Sequence, residues 1–178
     1  MKIAIEKFVA EHGKIHGAVH SAGIFLLTPL RTYDEKIAKE IMDINFWAGM
    51  KLLQLVTKSK YGEKGTSTVL FSSVSAFSHE KGMFAYGVAK AAINSGMQSA
   101  AKEICAKQHR VNSIVPGWVR TPMTEKDDVA EEKDAVFERH LLGVGKSEDV
   151  IGMVLFLLSD RARWITGSTV VVDGGYLA

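Results

Sequence analysis

The sequence contains one cysteine, three prolines and no apolar run long enough to cross a membrane. The single Cys105 excludes an intramolecular disulfide and fits a reducing compartment. The apolar run over residues 150–159 has only about half the length of a membrane-spanning helix. The first 14 residues are amphipathic and include acidic side chains, unlike a signal peptide or an Arg-rich transit sequence. We therefore expect a cytoplasmic protein.

The chain also lacks an excess of charge of either sign. Its formal net charge is +2, with 22 basic and 20 acidic residues interspersed. This balance gives no indication of binding to nucleic acid or to an anionic membrane. The length of 178 residues and a hydrophobic content of 47% favour one domain over residues 1–178 with a substantial core. A small molecule is the default partner.

Helical and strand-like segments alternate along the chain. Apolar residues recur at helical spacing in four segments, residues 2–12, 32–60, 84–107 and 147–160. Short apolar stretches of strand character alternate with them, at residues 14–23, 67–75, 110–117 and 168–175. The second helical segment is long enough to form two consecutive helices, and Ser147 is the expected N-cap of the last one. This alternation predicts an α/β fold whose parallel sheet is covered by helices on both faces.

Small and polar residues follow the first three predicted strands. Ligands bind beyond the carboxyl ends of the strands in such sheets, so these residues are expected along one rim. They are Ser21–Gly23, Ser72 and Ser73, and Pro116–Thr121. Just beyond the second strand, "FAYGVAKAA" places Tyr86 and Lys90 one helical turn apart on the same face. A phenol and an ammonium so arranged fit either a surface pair or a proton donor with a cation that tunes it.

Together these features resemble the short-chain dehydrogenase/reductase family, and within it the oxoacyl-carrier-protein reductases. The resemblance rests on the Tyr-x-x-x-Lys motif "YGVAK", on Ser73 thirteen positions before Tyr86, and on Asn45 in the helical segment after the first strand. "VNSIVPGWVRTPM" and "ITGSTVVVDGG" extend it over essentially the whole chain. It implies a three-layer, Rossmann-like parallel sheet. It also implies an NAD(P)-dependent oxidoreductase that acts on a ketone or a secondary alcohol.

The resemblance also implies a role for each of these residues. Tyr86 exchanges the proton at the substrate oxygen, and Ser73 hydrogen-bonds that oxygen. Lys90 lowers the phenol pKa from about 10 toward neutrality and holds the nicotinamide ribose. Asn45 holds a water that links Lys90 to solvent. Contacts with the cofactor, NAD or NADP, are expected from Ala22, Gly23, Tyr86, Lys90, Pro116, Gly117, Val119 and Thr121, and no residue is expected to bind a metal.

Several of these residues also have plainer explanations. Tyr86 and Lys90 can be a surface pair without function. Ser73 can be a strand-end hydroxyl, and the neighbouring Ser72 or Ser75 can be confused with it. Asn45 can be an ordinary helix residue whose amide hydrogen-bonds the backbone and has no other role. Pro116-Gly117 would end a strand whatever the function.

Three other patterns in the sequence need an explanation. "GVGKS" at residues 143–147 lacks the first glycine of a phosphate-binding loop, because His140 stands there. His12, His16 and His20 have the spacing of helical zinc ligands, but glycines interrupt them and His20 belongs to a strand. The charged stretch over residues 124–134 is expected to be a solvated face or a lid over the substrate.

The sequence departs from the family pattern in two places. It has no glycine-rich turn of the form Thr-Gly-x-x-x-Gly-x-Gly, which binds the cofactor pyrophosphate at a helix N-terminus. The usual Asn-Asn-Ala-Gly is replaced by His20-Ser21-Ala22-Gly23. Because the chain opens on the helix before the family's fourth strand, we expect an N-terminally truncated fold containing strands four to seven. Its first strand then becomes an exposed apolar edge.

The exposed edge has two possible explanations, and the chain has two possible functions. The chain is either a fragment or mis-started part of a longer enzyme, which we favour, or it pairs the edge in an oligomer. The leading hypothesis is hydride transfer to or from a ketone or alcohol, with a 3-oxoacyl compound as one option, although cofactor affinity is expected to be weak. The alternative is a non-catalytic remnant that acts as a dimerisation or binding module. The resemblance implies a homo-oligomer, a dimer or tetramer, formed through the Tyr/Lys helix, its neighbour and the last strand.

Overall fold

The computed structural model describes residues 1–124 and 133–178, in which four parallel strands form one sheet with the order β1-β2-β3-β4. The strands are β1 (Ile15–His20), β2 (Gly62–Phe71), β3 (Arg110–Pro116) and β4 (Thr169–Val172). The helices are α1 (Lys2–His12), α2 (Glu35–Met42), α3 (Ala48–Val56), α4 (Phe84–Ile104), α5 (Lys133–Glu138) and α6 (Ser147–Leu158). No helix in these residues combines the length and apolarity of a membrane span. The predicted parallel α/β sheet is confirmed.

Helices cover both faces of the sheet, as the apolar strands require. On one face, α3 and α4 form a core with the sheet through Leu53, Leu70, Ile93, Met97, Ala101 and Val111. On the other face, α6 and the turn after it supply the cover, in a core of Val69, Ile114, Val150, Val154, Leu157 and Ala162. The fold is therefore a three-layer arrangement, and neighbouring residues such as Val69 and Leu70 serve opposite layers.

The long helical segment predicted over residues 32–60 contains one wide turn. Helix α2 ends at Met42, residues Asp43–Trp47 form a π-helical turn, and α3 follows directly. Such turns are rare and occur often at functional sites. Asn45 lies inside this turn and is fully buried.

Strand β1 lies at the edge of the sheet. Within the described residues it pairs only with β2, and its Val19 side chain is 39% exposed. Helix α1 packs beside it through Ile5, in a cluster with Leu55 and Tyr61. The predicted exposed edge is present in this part of the chain.

Two predicted boundaries are wrong, and the predicted lid cannot be compared. Strand β2 starts at Gly62, five residues before the predicted start at residue 67. Ser147 is the first residue of α6, and Lys146 occupies the N-cap position. The Asp149 carboxylate accepts the backbone N–H of Lys146 at 2.7 Å and so caps the start of the helix. Most of the predicted lid, residues 125–132, lies outside the described residues.

Candidate active site

Tyr86 and Lys90 meet at the carboxyl end of β2, at the start of α4. The Lys90 Nζ atom donates a hydrogen bond of 2.8 Å to the carbonyl of Phe71, the last residue of the strand. It lies 5.4 Å from the centre of the Tyr86 ring. Phe25 packs edge-on against the same ring at 5.3 Å. The Lys90 side chain is 5% exposed, so the pair is not a surface contact.

The two adjacent serines at the end of β2 make different contacts. The Ser72 hydroxyl is buried and donates to the backbone carbonyl of Lys90 at 2.9 Å, which fixes α4 against the strand end. The Ser73 hydroxyl accepts the Ser75 backbone N–H at 3.1 Å and lies beside Tyr86 in the walls of the cavities described below. The sequence did not distinguish Ser72, Ser73 and Ser75. Of these three, only Ser73 lines both cavities beside Tyr86.

Gly87 allows α4 to approach this serine turn. A Cβ atom at position 87 would lie 2.9 Å from the backbone oxygen of Ser75, which is shorter than real side chains tolerate. Tyr86 is the residue before this glycine, so the close approach holds the phenol near Ser73. The glycine inside the "YGVAK" motif therefore has a packing reason.

Asn45 presents a free acceptor to the same region. Its Nδ2 atom donates to the carbonyls of Ile24 and Ile41, each at 2.9 Å, so the amide is held in one orientation. Its Oδ1 atom is buried and has no hydrogen-bond partner in the described residues. A Cβ atom at Gly23 would lie 2.6 Å from this Oδ1 and 3.6 Å from Lys90 Nζ. Gly23 thus leaves open the space between the amide oxygen and the ammonium.

Two cavities share Ser73 and Tyr86 in their walls. The smaller cavity has a volume of about 350 Å³ and is largely apolar, with Phe25, Leu27, Val74, Met83, Trp118 and Val136 in its lining. The larger cavity has a volume of about 590 Å³ and includes Ser21, Gly23, Asn45, Lys90, Val119 and Thr121. Gly117 also borders both of them. The phenol of Tyr86 therefore lies where molecules bound in the two cavities could meet.

Comparison with known proteins agrees with this arrangement. The family model described as Enoyl-(Acyl carrier protein) reductase matches residues 1–177. The 3-oxoacyl-[acyl-carrier-protein] reductase FabG of Thermotoga maritima is 31% identical over 175 residues, covering 98% of this chain and 71% of that protein. The chain belongs to the short-chain dehydrogenase/reductase family.

Solved structures of similar proteins share the fold. A short-chain dehydrogenase/reductase from Mycobacterium ulcerans is 35% identical with a TM-score of 0.90, over 98% of this chain and 65% of the other. A blue fluorescent protein from a metagenomic library, in complex with NADPH, is 27% identical with a TM-score of 0.91, over 99% of this chain and 71% of the other. The chain thus spans about two thirds of the length of such relatives.

Most residues that the family resemblance pointed to come together at the two cavities. The larger cavity is lined by Gly23, Asn45, Ser73, Tyr86, Lys90, Pro116, Gly117, Val119 and Thr121. Ala22 lines neither cavity. Sequence reasoning missed Ser147, which borders the larger cavity from the start of α6 and had been assigned only a capping role. Among the described residues, no three His, Cys, Asp or Glu side chains form a cluster that could hold a metal.

The pKa values of both members of the pair are shifted by burial. Burial raises the pKa of Tyr86, although a hydrogen bond from the nearby Ser73 hydroxyl opposes this rise. Burial also lowers the pKa of Lys90 from 10.5 to about 8. In the chain by itself, burial penalises the charged form of both groups, and the lowering of the phenol pKa by Lys90 stays a prediction.

His20 adds a third buried titratable group near the pair. It takes the place of the first asparagine in the family motif, and its Nε2 atom has no partner among the described residues. Burial lowers its pKa, and the charge of Lys90 lowers it further. His20 packs against Gly49 of α3, where a Cβ atom would lie 3.1 Å from its Nδ1.

Proposed function

We propose that this chain carries the catalytic residues of an NAD(P)-dependent oxidoreductase that transfers hydride between a nicotinamide and a ketone or secondary alcohol. The observation that carries the proposal is the junction of two cavities at Tyr86 and Ser73. The smaller cavity suits an apolar substrate, and the larger one has room for a nicotinamide ribose beside Lys90 and Asn45. Residues 1–178 then form one partial domain.

The larger cavity offers groups that fit the nicotinamide half of a dinucleotide. The Lys90 ammonium can donate to ribose hydroxyls, and the space at Gly23 admits a group between it and Asn45 Oδ1. The unpartnered Oδ1 needs a donor, which a water or a hydroxyl supplies. Val119 and Thr121 border the same cavity from the turn after β3. The related protein solved with NADPH supports NAD or NADP as the cofactor.

The chain's own residues then handle the proton. A bound nicotinamide supplies or accepts the hydride at the substrate carbon. Tyr86 gives its phenolic proton to the carbonyl oxygen, which Ser73 holds by a hydrogen bond. Burial disfavours a phenolate and an ammonium when either is present alone. Opposite charges attract, so the Lys90 ammonium stabilises the phenolate that forms when Tyr86 gives up its proton, and Lys90 thereby favours the proton transfer. Lys90 would then give a proton to the Tyr86 phenolate, and a water on Asn45 Oδ1 would return a proton to Lys90.

The substrate class and the assembly are the finer parts of the proposal. The similarity to the T. maritima 3-oxoacyl reductase supports a 3-oxoacyl-type compound. Exposed apolar residues on the helices near the site support a homo-oligomer, a dimer or tetramer. Trp47 and Val88 are each 57% exposed, and Val171 on the outer strand β4 is 47% exposed.

The open edge of β1 favours a second candidate function. Within the described residues nothing pairs with its outer side, and an unpaired strand edge is a template for another chain. A protein that keeps this edge without binding a dinucleotide would act as a binding or dimerisation module. Whether the chain binds the cofactor distinguishes the oxidoreductase from the binding or dimerisation module.

The test is a titration of the 178-residue chain with NADPH and NADH, followed by nicotinamide fluorescence and by turnover of acetoacetyl-coenzyme A and cyclohexanone. We expect saturable binding, and we expect Tyr86→Phe to bind the cofactor nearly unchanged while its turnover falls by about 100-fold or more. Tyr33→Phe, at a tyrosine 46% exposed, is the matched control. Full turnover by the Tyr86 variant would remove Tyr86 as the acid, and no binding at millimolar cofactor would favour the module.

A further inference from the structure

His140 is a buried histidine that none of the roles above uses. It follows α5 by two residues, is 5% exposed and lines the smaller cavity. Both of its ring nitrogens are engaged. The Trp118 backbone N–H donates to Nε2 at 2.8 Å, and Nδ1 lies 2.9 Å from the carbonyl of Val136.

These two contacts fix the chemical form of the ring. Nε2 accepts a hydrogen bond from a backbone amide, so it carries no hydrogen. The carbonyl of Val136 can only accept, so the ring hydrogen must be on Nδ1. The ring of His140 in this arrangement is therefore the Nδ1–H tautomer. A hydrogen on Nε2 would place two N–H groups against each other across 2.8 Å and break the contact with Trp118.

The two partners of His140 belong to two different segments that line the smaller cavity. Trp118 and the preceding Gly117 come from the turn after β3, and Val136 comes from α5. A Cβ atom at Gly117 would lie 2.7 Å from His140 Nε2, so only glycine lets the turn approach the ring this closely. The Trp118 ring also packs edge-on against Phe137 of α5 at 5.6 Å.

A polar network supports the ring from its other side. The Tyr176 ring lies 4.7 Å from the His140 ring, and its hydroxyl donates to Glu80 Oε1 at 3.0 Å. Arg139 pairs with the same oxygen at 2.9 Å and lies 4.0 Å above the Tyr176 ring. The C-terminal turn and the loop before α4 thus hold the segment that carries His140.

We propose that His140 is a positioning residue that joins the Gly117–Trp118 turn to α5 and so holds these two lining segments of the smaller cavity in place. As a consequence for the proposed function, it governs the affinity for the carbonyl substrate and not the rate of the chemical step. Of its two bonds, the one from the Trp118 amide to Nε2 is the one that holds the cavity wall.

Two substitutions separate the two bonds. In His140→Gln the amide oxygen reaches the place of Nε2 and can still accept the Trp118 N–H. In His140→Asn the shorter amide reaches only the place of Nδ1 and can still donate to Val136. His16→Gln, at an exposed histidine on β1, is the matched control.

The first measurement, amide hydrogen exchange at Trp118, does not depend on any activity. We expect protection in the wild type, in His16→Gln and in His140→Gln, and exchange faster by about tenfold or more in His140→Asn, because the Trp118 N–H then has no acceptor. Equal protection at Trp118 in the two His140 variants would overturn the proposal, whether or not the chain is an enzyme.

The second measurement is the dependence of turnover on acetoacetyl-coenzyme A. We expect His140→Asn to raise KM about tenfold with kcat little changed, and His140→Gln to restore KM. A fall in kcat with unchanged KM would overturn the positioning role. Absence of turnover in the wild type would instead count against the proposed function, and the exchange result would decide on His140 alone.

Discussion

Replacement of Lys90 by methionine is expected to make the protein less active and less sensitive to pH. The folded chain holds the pKa of Lys90 at about 8, against 10.5 for an unburied lysine. This difference corresponds to about 3 kcal/mol of stability that the charged lysine costs at neutral pH. Methionine keeps an apolar stem of similar length and carries no charge.

The gain from this replacement has an opposing contribution. Methionine leaves the Phe71 carbonyl, which now accepts from Lys90 Nζ at 2.8 Å, without that donor. An unsatisfied buried acceptor costs about 1–3 kcal/mol. The net change in the free energy of unfolding at neutral pH is therefore close to zero or moderately stabilising. A measurement at neutral pH alone does not test whether burial lowers the pKa of Lys90.

The pH dependence does test it. The pKa of Lys90 is lower in the folded chain, so the unfolded chain binds more protons between about pH 8 and 10.5. The cost is complete below pH 8 and is relieved as the pH rises. From pH 7 to pH 9 the wild type should gain about 1 kcal/mol more stability than Lys90→Met.

Urea unfolding at both pH values measures this difference directly. Lys102→Met, at an exposed lysine on the same helix, is the matched control and should follow the wild type. Parallel pH profiles for the wild type and Lys90→Met would show that burial does not shift Lys90, and the electrostatic account of the site would fail. Turnover by Lys90→Met should be lost at both pH values.

Two further predictions concern neighbours of Lys90. Gly23→Ala places a Cβ atom 2.6 Å from Asn45 Oδ1, and the Asn45 amide is held by two hydrogen bonds of 2.9 Å. We expect the substitution to lower the free energy of unfolding by about 1–3 kcal/mol, measured by urea unfolding. We also expect NADPH binding to weaken at least tenfold, measured by fluorescence titration. Unchanged binding would mean that the space at Gly23 is not used. His20 has a lowered pKa, so the folded chain favours its neutral form and loses stability as the pH falls below about 6.5. Stability between pH 7 and pH 5.5 should fall more steeply in the wild type than in His20→Leu, and equal slopes would contradict this.

The site shows where sequence reasoning reaches its limit. The spacing of Tyr86 and Lys90 predicts that they share a helix face, because the period of an α-helix is fixed. Whether Ser72 or Ser73 faces the phenol depends on how α4 docks on β2, and the bond from Ser72 to the Lys90 carbonyl joins residues 18 positions apart. A composition or spacing rule contains no information about such a bond.

The same limit applies to the charges. A cation one turn from a phenol suggests a lowered phenol pKa, whereas burial of Tyr86 raises its pKa and burial of Lys90 lowers that of the ammonium. Burial is a property of the packed molecule, since the helices that exclude water from Lys90 come from distant parts of the chain. His140 is a further case, because the residue alone gives no sign of its bond to Trp118, 22 positions away.

The sequence by itself determined the order and kind of the elements, the parallel sheet and the membership of the short-chain dehydrogenase/reductase family. These follow from local periodicity, strand-end residues and motif spacing, which the chain carries in linear form. Only the tertiary structure decided which serine lines both cavities, where Asn45 leaves an acceptor free, how large the two cavities are and which way burial shifts the pKa values of Tyr86 and Lys90. Each of these depends on contacts between residues far apart in sequence, and on the water that those contacts exclude.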